Sequence, residues 1–258
     1  MRFGEILAME RAQVTQNRQF YLPLMGGLAL LTWIAAVATT YNAELSGLID
    51  FIQGIAGIYI ALIVARTVLL GQDNAISGAP VFPYFGNALL NMLLLGLVAL
   101  PFLGTAAGLF HYAFGATNVI WEGTHQAMTD DWWAALPYDS ADSGLLAGAA
   151  GVSVIALFVV SYVGARFFFC MPGVALSRKP YGFLEGWRDS AGVALPIVFA
   201  CWTVILAVSV VLGILGFVLS FIHDWLGLVA FSLIEGVLGV AIPVVFAATW
   251  RRHIGESD

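Results

Sequence analysis

Glu235 stands nine residues beyond Leu226 inside a long apolar run, roughly 13 Å in from the run's start if the run is helical. A carboxylate at that depth in hydrocarbon is costly unless it is protonated, paired or hydrogen-bonded, and such groups often mark an ion pathway or a proton relay. The plainer alternative is a protonated acid that bonds a neighbouring helix and serves as structural glue. Gln53 and Ser153 fall at similar depth, eight and nine residues from the outer ends of their own runs. The three together predict a small intramembrane polar cluster. Asp50 lies nearer the end of its run, within reach of water, and reads as an interfacial carboxylate.

Arg66 and Arg166 each close an apolar run after an alanine. Their long stems suit snorkelling to an interface, and a sharper role would be to clamp lipid phosphates or to pair with Glu185 or Asp189. Arg178, Lys179 and Arg188 follow in the polar stretch after the fourth run. They are too few for nucleic acid but adequate for attraction to anionic lipid. These five basic residues are the expected contacts for lipid or for a partner subunit. Nothing in the chain forms a zinc-protease, nucleophile-elbow or phosphate-loop motif. His111, His125, His223 and His253 show no metal-ligand spacing. No catalytic residue, metal or cofactor is therefore expected. Cys170 and Cys201 sit in apolar surroundings and read as free thiols.

The elements that must position these groups follow from composition. Of 258 residues, 60% are apolar and 10% charged, with a mean hydropathy of +0.91, which excludes an ordinary soluble domain. The fold class predicted is all-α and polytopic, a single membrane domain of six transmembrane helices with short interfacial helices. The spans run over about 20–40, 45–70, 87–110, 144–169, 193–222 and 226–250. Residues 1–19 read as an interfacial helix, with Phe3, Ile6, Leu7 and Met9 on one face and Arg2, Arg11 and Arg18 toward headgroups. Ala36-Val37-Ala38 superficially resembles a signal-peptide cleavage site, but the apolar run before it is too long and contains Pro23; the first helix is expected to be uncleaved. Residues 71–86, with Gly71, Gly78, Pro80 and Pro83, predict a loop, and Pro101 a kink in span three. Residues 111–143 hold Glu122, Asp130, Asp131, Asp139 and Asp142 without lysine or arginine, punctuated by Trp121, Trp132, Trp133 and Tyr138. That region predicts an acidic outer segment with aromatic anchors and an interfacial helix over 118–135. In the junction over 171–192, Pro172 and Gly173 are expected to turn the chain.

All ten basic residues fall at the N-terminus, the inner ends of spans two and four, the junction or the C-terminus. With six spans those places share one side, and the positive-inside rule makes it cytoplasmic. Both termini are thus expected inside, in a bacterial inner membrane. Ala65-Arg66 and Ala165-Arg166 are each followed by a broken loop and an aromatic-rich segment, a weak repeat compatible with duplication. The pairs Gly54/Gly57, Gly148/Gly151, Gly213/Gly216 and Gly236/Gly239 predict close helix packing.

Arg166, then Pro172 six positions on, then Gly182-Phe183-Leu184-Glu185-Gly186-Trp187-Arg188-Asp189-Ser190, resembles a pattern in bacterial six-helix membrane proteins. These are the YciC-like uncharacterised proteins and the membrane domain fused to some glycerophosphodiester phosphodiesterases. The likeness covers about 30 residues besides the helix count and the N-terminal helix. The basic residues usual before the final serine are reduced here to Arg188, beside Asp189. The resemblance implies an inner-membrane protein without catalytic residues of its own. On sequence alone the favoured role is non-enzymatic: a scaffold, or a subunit associated with lipids or a membrane complex. The rival is a small-molecule or ion transporter with Glu235 in the pathway.

Overall fold

A computed structural model describes residues 1–41, 43–113, 142–177 and 182–254. Among these residues there are nine α-helices and no strand. In chain order they are α1 (Phe3–Gln16), α2 (Arg18–Tyr41), α3 (Ala43–Leu70), α4 (Val81–Ala113), α5 (Ser143–Phe168), α6 (Met171–Ala175), α7 (Phe183–Asp189), α8 (Ala194–Ser220) and α9 (Asp224–His253), with a 3₁₀ turn at Gln72–Asn74. Six of the helices are long and apolar enough to cross a membrane. Arg178, Lys179 and the interfacial helix expected over 118–135 lie outside the described residues, as does most of the acidic segment.

The third span starts earlier than the sequence suggests. Val81-Phe82-Pro83 already belong to α4, because proline in the first turn needs no helical N–H partner. The aromatic segment after Arg66 is therefore continuous with its span, whereas its counterpart after Arg166 is the separate helix α7. Pro101 is carried inside α4 without ending it.

The chain divides into two compact units, residues 1–91 with 165–258, and residues 92–164. In the second unit the two helical segments run antiparallel. A Cβ on Gly164 would meet Leu95 at 3.4 Å and one on Gly148 would meet Leu109 at 3.6 Å. Asp142 N–H closes the pair on the Ala113 carbonyl at 2.8 Å.

The first unit holds the larger core. Tyr21 and Leu28 of α2, Ile60, Leu62, Val64 and Val68 of α3, and Val240 and Val244 of α9 pack with Tyr84 and with α6. A second cluster joins Ile6 of α1 to Phe169, Ile197, Val198, Val245 and Trp250. The apolar face of α1 is thus spent on protein: Ile6 is fully buried, while Phe3 stays exposed. Arg2, Arg11 and Arg18 are exposed, as expected. Burial raises the Glu10 carboxyl above its ordinary range, whereas the Arg2 backbone N–H, 3.1 Å away, holds Glu5 below it.

Helices α2 and α9 approach each other closely at two glycines. A Cβ on Gly236 would lie 2.3 Å from the Met25 carbonyl oxygen, and one on Gly239 would lie 2.3 Å from Leu28. Here the expected glycine packing is realised. Gly216 faces the Phe231 ring at 3.2 Å. Gly54, Gly57, Gly151 and Gly213 instead have nothing within 4 Å of a built Cβ, so their spacing does not report a helix contact.

Candidate functional site

Two polar arrangements occupy opposite ends of the first unit. At the end of α3 the guanidinium of Arg66 is only 6% exposed. Nε donates to the Ala75 carbonyl at 2.8 Å, Nη1 to Ala175 at 2.8 Å, and Nη2 to Asn74 and Ser77 at 3.0 and 2.6 Å. Four of its five N–H groups are therefore spent on backbone carbonyls of the 71–80 loop and of α6. This replaces the snorkelling or phosphate-clamping role expected for Arg66. The rigid fork of arginine matches several acceptors at once, which a lysine ammonium would not.

Arg166 is used in the same way. Its guanidinium lies over the Trp187 ring, 4.0 Å from the centroid, and donates to the Trp187 carbonyl and to Ser190 Oγ. Ser190 is fully buried. Glu185 caps its own helix by accepting from Gly182 N–H at 3.0 Å, and Arg188 pairs with Asp189 at 3.3 Å while staying exposed. Helix α7 is also docked rather than laid on a surface: a Cβ on Gly186 would sit 2.7 Å from the Cys170 backbone nitrogen.

Pro172 and Gly173, expected to turn the chain, lie inside the fully buried helical turn α6. Proline fits there because it stands at the start of that turn. The left-handed residue is Ser177, at φ 57°. Asn91, an amide inside an apolar run, braces the break. Its Nδ2 lies 3.3 Å from the Phe167 carbonyl and near both Cys170 Sγ and Met171 Sδ. Sequence reading passed over Asn91, although a lone amide among leucines is a signal of the same kind as Glu235.

The same end is closed by the C-terminus of α9. Arg251 donates to the Val68 carbonyl at 2.9 Å, Arg252 faces Glu5 at 4.0 Å, and His253 Nε2 lies 3.1 Å from the Asp189 carbonyl.

Toward the other end, α2, α3 and α9 leave a cleft of about 470 Å³. It is lined by Asp50, Gln53, Gly54, Gly57 and Ala61 of α3, by Glu235, Leu238, Gly239, Ile242 and Pro243 of α9, and by Leu28 of α2. Gly54 and Gly57, which touch nothing, thus form part of its wall. Glu235 lies ten residues into α9 from Trp225, roughly 15 Å along the axis, and Asp50 about 5 Å in from Gly47. Gln53 and Glu235 are brought together as expected, with Asp50 added. Ser153 is not part of this site; it belongs to the second unit and bonds its own helix at Ala149, 2.9 Å away.

The polarity of the cleft is one-sided. Asp50 and Glu235 are exposed and have neither ion pair nor hydrogen bond among the described residues. The hydroxyl of Thr32 donates to the Leu28 carbonyl at 3.1 Å, so toward Gln53 it can only accept. One N–H of Gln53 Nε2 fills that place at 3.0 Å, leaving Oε1 and the second N–H free. Pro243 has no N–H for the carbonyl of Gly239, four residues earlier. The cleft therefore offers two carboxylates and a carboxamide whose Oε1 and second N–H are free, and the Gly239 carbonyl beside it lacks its usual donor. Thr32 and the Gly239–Pro243 pair were not singled out from sequence; the second is legible as a proline four residues after a glycine inside a span.

Among the described residues no group of three or more His, Cys, Asp or Glu side chains could hold a metal, and both cysteines are free. Comparison of the chain with protein-family models, curated proteins and solved structures gave no match.

Proposed function

We propose that this multi-pass membrane protein receives a small cationic solute in the cleft between α2, α3 and α9 and passes it into or across the bilayer, without catalysis. The observation that carries the reading is the pair of exposed carboxylates, Asp50 and Glu235, that line one cleft with no cation or donor bonded to them among the described residues. An ionised carboxylate some 15 Å below the end of its helix needs either water or a counter-cation, because hydrocarbon satisfies neither its charge nor its lone pairs. Cysteines placed at Gly54 and Gly57, in a Cys201→Ala background, test it. Both sites should react with a membrane-impermeant thiol reagent, and added cations should slow the reaction. Complete protection of both positions under every condition would remove the reading.

A second reading, a scaffold or complex-associated subunit, is favoured by the opposite end of the unit. There Arg66, Arg166, Arg251 and His253 fasten five helices and a loop through backbone carbonyls, giving a rigid face for a neighbour. A partner retained in fixed ratio through gentle purification would be its mark. The same face still carries exposed Arg188, which suits anionic lipid. The expected orientation, with this basic end cytoplasmic in a bacterial inner membrane, places the mouth of the cleft on the outer side.

A further inference from the structure

We infer that the solute is a protonated primary or secondary amine carried on an apolar body, an inference that rests on the cleft reading above and names its ligand. Three features of the cleft select this chemistry. First, the two unpartnered carboxylates of Asp50 and Glu235 and the free Oε1 of Gln53 outnumber the one N–H left on Gln53, which favours a ligand whose polar part donates hydrogen bonds as well as carrying positive charge. A quaternary ammonium brings charge without donors. Second, the polarity is graded along the axis. The carboxylates and the carboxamide occupy the outer half, while Ala61, Leu28, Ile242 and Pro243 line the deeper half without a titratable group. An ammonium held near Glu235 and Gln53 would therefore extend an apolar body inward.

Third, size argues against a bare ion. The lining spans Asp50 to Ala61 on α3, roughly 16 Å of helix. The volume of about 470 Å³ falls in the range of sites for small organic ligands. A calcium or sodium ion would need several oxygens gathered at about 2.3–2.6 Å, and the acceptors here come from one half of an elongated space with apolar walls. The open α3 glycines leave room beside the body of the ligand.

An ammonium on an apolar skeleton has two sources, a free amine or the headgroup of an aminophospholipid in the outer leaflet. The test uses the full chain, purified in a maltoside detergent, with calorimetric titration at pH 7. Hexylamine should bind. Hexyltrimethylammonium should bind at least tenfold more weakly, and hexanol, sodium and calcium should give no saturable signal. Glu235→Gln should weaken hexylamine at least tenfold.

The ligand series on the unaltered chain decides independently of any effect of Glu235→Gln on folding. Equal binding of hexylamine and hexyltrimethylammonium, equal binding of hexanol, or no hexylamine binding would overturn the assignment. In nanodiscs, competition by phosphatidylethanolamine but not phosphatidylcholine would identify the lipid source, and undiminished hexylamine binding in both would identify a free amine. Reactive cysteines at Gly54 and Gly57 together with no hexylamine binding would overturn the amine alone. Protected cysteines with no binding would overturn the cleft reading as well.

Discussion

Arg66 shows how a charge can lie buried beside a membrane without a counter-charge. Its guanidinium reaches carbonyls at Asn74, Ala75, Ser77 and Ala175, groups that would otherwise need water after the helix has ended. Hydrogen bonds to a charged group are worth about 1.5–3 kcal/mol each, and orphaned buried acceptors cost about as much. Arg66→Ala should therefore destabilise the first unit by at least about 3 kcal/mol. Arg66→Lys should recover little, because one ammonium cannot reproduce the fork. Thermal unfolding in detergent, read beside amide exchange over residues 72–77, would check this. Faster exchange confined to that loop is the expected pattern, and wild-type behaviour of the alanine variant would show that the carbonyls find other donors.

The helices carry two kinds of glycine. Gly236 and Gly239 let α2 and α9 cross closely enough that an added methyl would meet the Met25 carbonyl and the Leu28 side chain. Gly54 and Gly57 face open space along the cleft. Gly236→Ala should cost about 1–3 kcal/mol, the range for overpacking a fitted contact. Gly57→Ala should leave stability unchanged or slightly raised, since alanine is the better helix former, while narrowing the cleft. Midpoints of thermal or denaturant unfolding for the two variants should therefore move apart. Similar losses for both would mean that α3 also packs tightly at Gly57. The short helices obey the same logic: α7 abuts Cys170 because Gly186 has no side chain, and α6 stays helical with Pro172 because it starts there.

At the scale of the molecule, the charges are distributed by side. The basic groups with described positions gather at the end where α3 and α9 finish and α1 packs; the carboxylates of the cleft lie toward the other. If that basic end is cytoplasmic, as the positive-inside rule requires, impermeant reagents added to intact cells should label a cysteine replacing Ile222. A cysteine replacing Arg11 should be labelled only after permeabilisation. The reverse pattern would invert the membrane orientation and put the mouth of the cleft inside.

Long apolar runs bounded by Gly, Pro and charge were enough to read six helices and to place all but the third near their observed limits, because hydrocarbon permits few alternatives to a helix for an unpaired backbone. The depths of Glu235 and Gln53 also followed from counting residues. Counting could not say which faces meet. Tertiary structure separated Ser153 from the cleft, added Asp50 to it with Thr32 bonded to Gln53, and turned Gly54 and Gly57 from contact residues into a wall. It also changed the arginines. From sequence Arg66 and Arg166 are cations near an interface, and only the folded chain brings carbonyls 8 to 109 residues away within reach of Arg66 and the Trp187 ring beneath Arg166. Length and hydropathy are properties of each segment alone, whereas partners depend on how helices rotate against one another, and that rotation is set by side-chain contacts between distant parts of the chain.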